Sequence, residues 1–263
     1  MSDNFAGCTA ELERRSLLPQ PTLAAFLVGS VTRGWANPLS DYDINLVCTR
    51  QPVGAGGKAL LVHLDPPTVP AEVLRVADRR WEVKYWLDDQ VDQLLAKVSW
   101  PAFEQSGVAG QLLTDTEEVF LERLVTCVPL AGEEWVGRRR DELDASAFRA
   151  YVVTRSLAQS DNSVEDAIGQ LEMADLESAV LSARKAFGNA VDALLESAGE
   201  YGFYLPKWRA RRFRAVSPAA LSFEDYWAVE TMRDLDPQAP AKWVEMVLGV
   251  CADIVLAIEI PQR

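Results

Sequence analysis

The sequence is short of histidine, of paired cysteines and of positive charge. One histidine, His63, stands among 263 residues. Sites built from two or more histidines, which include most hydrolytic zinc centres, are therefore excluded. The four cysteines, Cys8, Cys48, Cys127 and Cys251, are far apart and form no C-x-x-C pair. Their spacing argues against a structural zinc site and for reduced thiols in a cytoplasmic protein. Lys plus Arg number 26 against 39 for Asp plus Glu, a formal net charge of -13. Non-specific nucleic-acid affinity comes mainly from neutralised phosphates, so an acidic chain is a poor general binder of nucleic acid. No window reaches the roughly 18 apolar residues of a membrane span. The N-terminal stretch MSDNFAGCTAELERR has no apolar core of signal-peptide length. These absences lead us to expect a cytoplasmic protein with no nucleic-acid or membrane partner, as a monomer or homodimer.

What is present is ordinary in amount and uneven in arrangement. Hydrophobic residues make up 49% and charged residues 25%, which suits a folded chain of one large or two modest domains. The first half alternates short apolar runs with turns. Residues 11–18 read as a helix and AAFLVG (24–29) as a strand. In DYDINLVC (41–48), Tyr42, Ile44 and Leu46 share one face, and Asp41, Asp43 and Asn45 the other, the period of a strand. QPVGAGGKA (51–59) reads as a Gly-rich loop. EVLRVADRRWEVKYW (72–86) reads as two strands around a turn near Asp78.

Past Trp86 the period changes to that of helices. Residues 88–98 and 114–128 fit helices, the second with a Thr cap and acids in its first turn. From about residue 133 only helical patterns remain. The clearest is 175–199, and 240–260 is a strongly apolar final helix expected to be buried. The expected architecture is α+β: a catalytic domain over 1–130 with a mixed sheet and helices, then an all-α bundle over 131–263 that binds substrate.

The run FLVGSVTRGWANPLSDYDINLV (26–47) carries the chemistry. Asp41 and Asp43 project the same way from one strand, and two adjacent like charges are costly unless a cation lies between them. Magnesium favours carboxylate oxygens and commonly keeps phosphates as further ligands. Gly29 has no side chain, so backbone N–H groups there can approach a phosphate, and Ser30 adds a hydroxyl. Glu82, on the polar face of a nearby strand, is the best third acid.

Gly29-Ser30 followed by Asp41-Tyr42-Asp43 resembles the signature of the nucleotidyltransferase superfamily that includes DNA polymerase β and the aminoglycoside nucleotidyltransferases. RRWEVKYW (79–86) is similar to that superfamily's third-carboxylate strand. The resemblance covers roughly residues 20 to 90. It implies Asp41, Asp43 and Glu82 as catalytic residues and metal ligands, two Mg2+ ions, and ATP or another nucleoside triphosphate as co-substrate. Gly29 and Ser30 would cradle the β and γ phosphates while a substrate hydroxyl attacks the α phosphorus. Glu82 has two open roles, metal ligand or general base. Transfer of AMP to a hydroxyl of a small molecule is expected, an aminoglycoside or other amino sugar suiting the acidic chain. Transfer to a protein hydroxyl, as in antitoxin-type relatives, is the alternative. A non-catalytic nucleotide-binding module is a third reading, opposed by the retained acids.

Other residues carry two readings each. Lys84 shares the face of Glu82 and either touches phosphate or pairs with an acid. Arg33 either faces the triphosphate or is a surface arginine. The basic run PKWRARRFR (206–214) is either a solvated helix start or a source of cations, Lys207 or Arg211, for the triphosphate. Acids Glu172, Asp175 and Glu177 either face water or recognise a cationic acceptor. His63 and Trp35 read as packing residues.

Overall fold

The apolar runs around the two aspartates form the middle of a sheet. The computed structural model describes residues 5–51, 57–106, 112–260 and 262–263. Its strands are β1 (Thr22–Val28), β2 (Tyr42–Cys48), β3 (Lys58–Leu61), β4 (Thr68–Val76), β5 (Arg79–Leu87) and β6 (Val128–Ala131). They form one sheet in the order β3-β4-β5-β2-β1-β6. β2 and β5 run parallel, and the other pairs are antiparallel. The fold is α+β with a mixed sheet. The expected Gly-rich loop lies partly outside the described residues; Lys58 and Ala59, expected in that loop, open β3 instead.

Helices cover both faces of the sheet, which is why β1 reads as a nearly unbroken apolar run. Ala25, Leu27, Ile44, Leu46, Trp81, Val83 and Tyr85 form one buried cluster with Cys8 and Leu12 of α1 (Ala6–Arg14). On the other face, Trp86 and Phe26 meet Phe120 of α4 (Asp115–Thr126), with ring centroids 4.3 Å and 6.1 Å away. Trp135 of α5 (Glu133–Asp144) stacks on Phe26 at 6.3 Å. Asn45, expected on a polar face, is buried there, and its Oδ1 accepts the Trp86 indole N–H at 3.1 Å.

α4 starts where its sequence says it should. The Thr114 hydroxyl accepts from the Glu117 N–H, and the Glu117 carboxylate accepts from the Thr114 N–H at 3.0 Å, a reciprocal cap. Fully buried Glu117 also accepts from the His63 N–H at 2.6 Å and from Lys97 at 2.8 Å, on α2 (Asp88–Lys97).

The chain divides into two compact units, Met1–Ala102 with Gln111–Ser146, and Phe103–Gly110 with Ala147–Arg263. The first break falls within α3 (Trp100–Ser106), and β6 and α5, the latter expected in the helical bundle, group with the sheet. The reason is specific contact that helical periodicity cannot reveal. Arg139 of α5 reaches Asp88 at 2.7 Å and Asp92 at 2.6 Å on α2, and Arg140 donates to the Leu124 and Cys127 carbonyls. Gly132 lets β6 turn into α5 at φ 70°, where a Cβ would lie 2.1 Å from the Leu23 carbonyl oxygen.

The second unit is helical. α6 (Phe148–Glu172) and α7 (Leu176–Ser197) are joined by a short turn, and α8 (Arg209–Val216), α9 (Phe223–Glu230) and α10 (Pro240–Leu256) follow. Ala179, Ala183, Ala186 and Ala190 allow close approach, and the Ser160 hydroxyl donates to the Ala186 carbonyl at 2.9 Å. Asp175 caps α7 by accepting from the Ser178 N–H. α10 buries one face, through Trp243, Val244, Val247, Cys251 and Ile254; Leu256 is 85% exposed, so the expected burial holds for that face alone. Among the described residues no helix is long and apolar enough to cross a membrane. All four cysteines are free and buried.

Candidate active site

The first unit brings most of the expected site residues to one end of the β1, β2 and β5 strands. β1 ends at Val28 and passes into a 3-10 turn, Gly29–Val31. Val28 is the register partner of Asp43 on β2, so the turn begins beside that aspartate. Gly29 sits at φ 86°, and a Cβ there would meet Asp43 Oδ2 at 3.0 Å. The position therefore favours glycine on conformational and on steric grounds. Its carbonyl accepts from the Thr32 hydroxyl at 2.9 Å, and the Ser30 carbonyl accepts from the Trp35 N–H at 2.9 Å. These bonds fix the bend. Arg33 lies over the Trp35 ring at 3.8 Å.

Parallel pairing of β2 with β5 sets the acids side by side. Asp43 pairs in register with Glu82, and Asn45 with Lys84. Side chains at paired positions share a face, so Asp43, Glu82 and Lys84 form one half-buried polar patch. Asp41 immediately precedes β2.

Each acid faces a cation. Arg80 stands 3.4 Å from Asp41, Lys84 3.7 Å from Glu82, and Arg123 of α4 3.6 Å from Asp43. Arg80 and Arg123 were not singled out by the sequence. Arg80 had a local signal, two residues ahead of Glu82 on the same strand. Arg123 had none, because α4 reaches the sheet by long-range packing. Burial holds the Lys84 ammonium below its usual pKa, the Arg123 charge adds to this, and Glu82 and Asp43 oppose it.

Among the described residues no three His, Cys, Asp or Glu side chains are gathered into a group that could hold a metal ion. The donor chemistry nevertheless fits a hard divalent cation: carboxylate oxygens on adjacent strands, half-buried, held by cations at 3.4 to 3.7 Å. Such separations are too long for strong hydrogen-bonded pairs. Acids and cations interleaved in this way can receive both ends of a metal–polyphosphate complex, the metal on the carboxylates and the phosphates on Arg and Lys.

Lys207 belongs to the second unit. It is exposed on a 3-10 turn, Pro206–Trp208, with Nζ 5.5 Å from the Trp208 ring centroid. The basic run around it opens a 3-10 turn and α8 and is solvated only in part, with Lys207, Arg211 and Arg214 exposed. Arg209 and Arg212 are buried and both donate to Asp192 of α7, Arg209 Nη2 at 2.7 Å. Arg214 lies over Phe223 at 3.5 Å. Asp175 is spent on capping its helix.

No protein-family model matches the chain, and no curated protein matches it. Among solved structures, it is similar to a nucleotidyltransferase-like protein from Exiguobacterium sibiricum 255-15, with a TM-score of 0.52 and 9% identity. The match covers 97% of this chain and 75% of that one. At this identity the likeness is one of fold, and the fold of this chain is nucleotidyltransferase-like.

Proposed function

We propose that the protein is a magnesium-dependent nucleotidyltransferase. It would move a nucleoside monophosphate, AMP from ATP in the leading case, to a hydroxyl of a small molecule and release pyrophosphate. The observation that carries this reading is the register of Asp43 with Glu82 beside the Gly29 bend, with Asp43 Oδ2 3.0 Å from where a Gly29 Cβ would stand. Asp41, Asp43 and Glu82 would hold the divalent cations. Bound there, those cations would polarise the phosphate and lower the pKa of the acceptor hydroxyl.

The protein's own groups do the positioning. At the Gly29 bend backbone N–H groups would meet phosphate oxygens, and the Ser30 hydroxyl would be a further donor. Lys84 and Arg33 supply positive charge for the β and γ phosphates. Glu82 either completes the ligand set or accepts the proton of the acceptor hydroxyl. The excess of acids, 39 against 26 basic residues, supports a cationic acceptor such as an amino sugar.

A second reading has one observation in its favour. Each acid is paired with a cation, as in a module that binds nucleotide without turning it over. One experiment separates the two. The protein is incubated with each labelled nucleoside triphosphate, Mg2+ and a panel of hydroxyl acceptors, and pyrophosphate is followed. Release that disappears in Asp41→Asn and Asp43→Asn supports transfer. Saturable nucleotide binding with no release supports the module. A nucleotide mass added to a polypeptide rather than a small molecule moves the acceptor to protein.

A further inference from the structure

α4 is clamped to the sheet on either side of Arg123. Phe120 packs on Trp86, Leu121 and Leu124 are fully buried, and the Thr114–Glu117 cap fixes the helix start. Any adjustment at this place therefore falls to the Arg123 side chain rather than to the helix. That side chain is weakly held. Its Nη1 stands 3.6 Å from Asp43 Oδ2, and its buried Nε has no hydrogen-bond partner among the described residues. A guanidinium placed so gains part of the Coulomb attraction of an ion pair and little of the hydrogen bonding. It occupies the surroundings of the one carboxylate that lies against both the Gly29 bend and Glu82.

We propose that Arg123 is the exchangeable counter-ion of the site. It neutralises Asp43 when no divalent cation is bound, and when a cation takes Asp43 the guanidinium turns to the polyphosphate of the nucleotide. This rests on the nucleotidyltransferase reading and adds a residue and a coupling to it. Planar guanidinium suits phosphate oxygens, and the displaced group regains there the hydrogen bonds it lacks on Asp43. The coupling has a signature that a structural arginine would not give: removing the charge affects metal and nucleotide in opposite directions.

The test uses equilibrium binding, not turnover. Mn2+ binding without nucleotide is measured by electron paramagnetic resonance, and binding of a non-hydrolysable α,β-methylene triphosphate in saturating Mn2+ by calorimetry. Arg123→Met, which keeps an apolar stem, binds Mn2+ alone about three- to tenfold tighter and the triphosphate about tenfold or more weakly. Arg123→Lys keeps the charge and loses the fork, so Mn2+ affinity stays at the wild-type value while triphosphate affinity falls several-fold. Mn2+ affinity unchanged or lowered in Arg123→Met, or raised in Arg123→Lys, overturns the exchange. Wild-type protein that takes Mn2+ but no triphosphate of any base overturns the nucleotidyltransferase reading, and the exchange with it. The two failures are distinguishable, because only the second is visible without a variant.

Discussion

Two clusters of acids and basic residues among those described are built to opposite rules. In the second unit, Asp192 is 1% exposed and accepts from Arg209 and Arg212, with Arg155 and Glu196 paired at 2.8 Å in the same set of helices. In the first unit, Asp41, Asp43 and Glu82 face Arg80, Arg123 and Lys84 across 3.4 to 3.7 Å and remain partly open to solvent. Buried charges must be satisfied by each other, because water cannot replace a lost partner, and breaking such a pair is costly. Half-buried charges at long range are exchangeable, because water or an arriving ligand can take either side. The same residue types thus form fully buried pairs in one place and half-buried, longer-range pairs in the other.

The largest effect is expected at the buried cluster. Asp192→Ala leaves two buried guanidinium groups without their carboxylate and lowers stability by about 4 kcal/mol, read from urea unfolding. The half-buried cluster should behave the other way. Asp43→Asn changes stability by no more than about 1 kcal/mol. Its effect is on chemistry: pyrophosphate release falls at least about 100-fold, roughly 3 kcal/mol of barrier. A variant that unfolds instead of losing turnover would erase the distinction between the clusters.

Gly29→Ala falls between. The residue must adopt φ 86° and its Cβ presses on Asp43 Oδ2 at 3.0 Å, so a loss of about 1–2 kcal/mol is expected. Because the pressure falls on Asp43, Mn2+ affinity should drop together with the melting temperature. A drop in melting temperature alone would remove the link between bend and acid.

The response to pH is the most gradual, about 1.4 kcal/mol per pH unit. Burial pushes the Glu196 carboxyl up to about 8, against the opposing charge of Arg155. Between its ordinary value of 4.5 and about 8 the folded protein holds a proton that the unfolded chain has released. Raising pH through that window therefore lowers stability, with no further contribution above it. Glu196→Gln, which does not ionise there, should flatten the fall in urea midpoint between pH 5 and 8. An unchanged slope would place the titration elsewhere.

Much of the fold could be read along the chain. The strands over 24–29 and 41–48, the paired strands over 72–86 and the Thr114 cap are local patterns of side-chain alternation or hydrogen bonding, and they appear as β1, β2, β4 with β5, and α4. β3 and β6, four residues each, were not legible, since runs that short carry too little periodicity. The membership of α5 in the sheet unit was not legible either. Its helical pattern is clear, but its partners Asp88, Asp92 and Phe26 are distant in sequence. In the site, Gly29, Asp43, Glu82 and Lys84 stand near one another: turn and alternation were legible for each, and the β2–β5 register that brings them together was not. The cations opposite Asp41 and Asp43 were missed.

By itself, the sequence determined local placement: alternation puts Asp43 and Glu82 on the polar faces of their strands, and glycine permits the bend after β1. Tertiary structure alone decided what each acid meets. The parallel register of β2 with β5 put Glu82 beside Asp43, and the packing of Phe120 on Trp86 carried Arg123 to the same carboxylate. Strand alternation is a local property of covalent geometry, whereas register and helix placement are set by burying apolar surface between segments far apart in the chain, which no single stretch encodes.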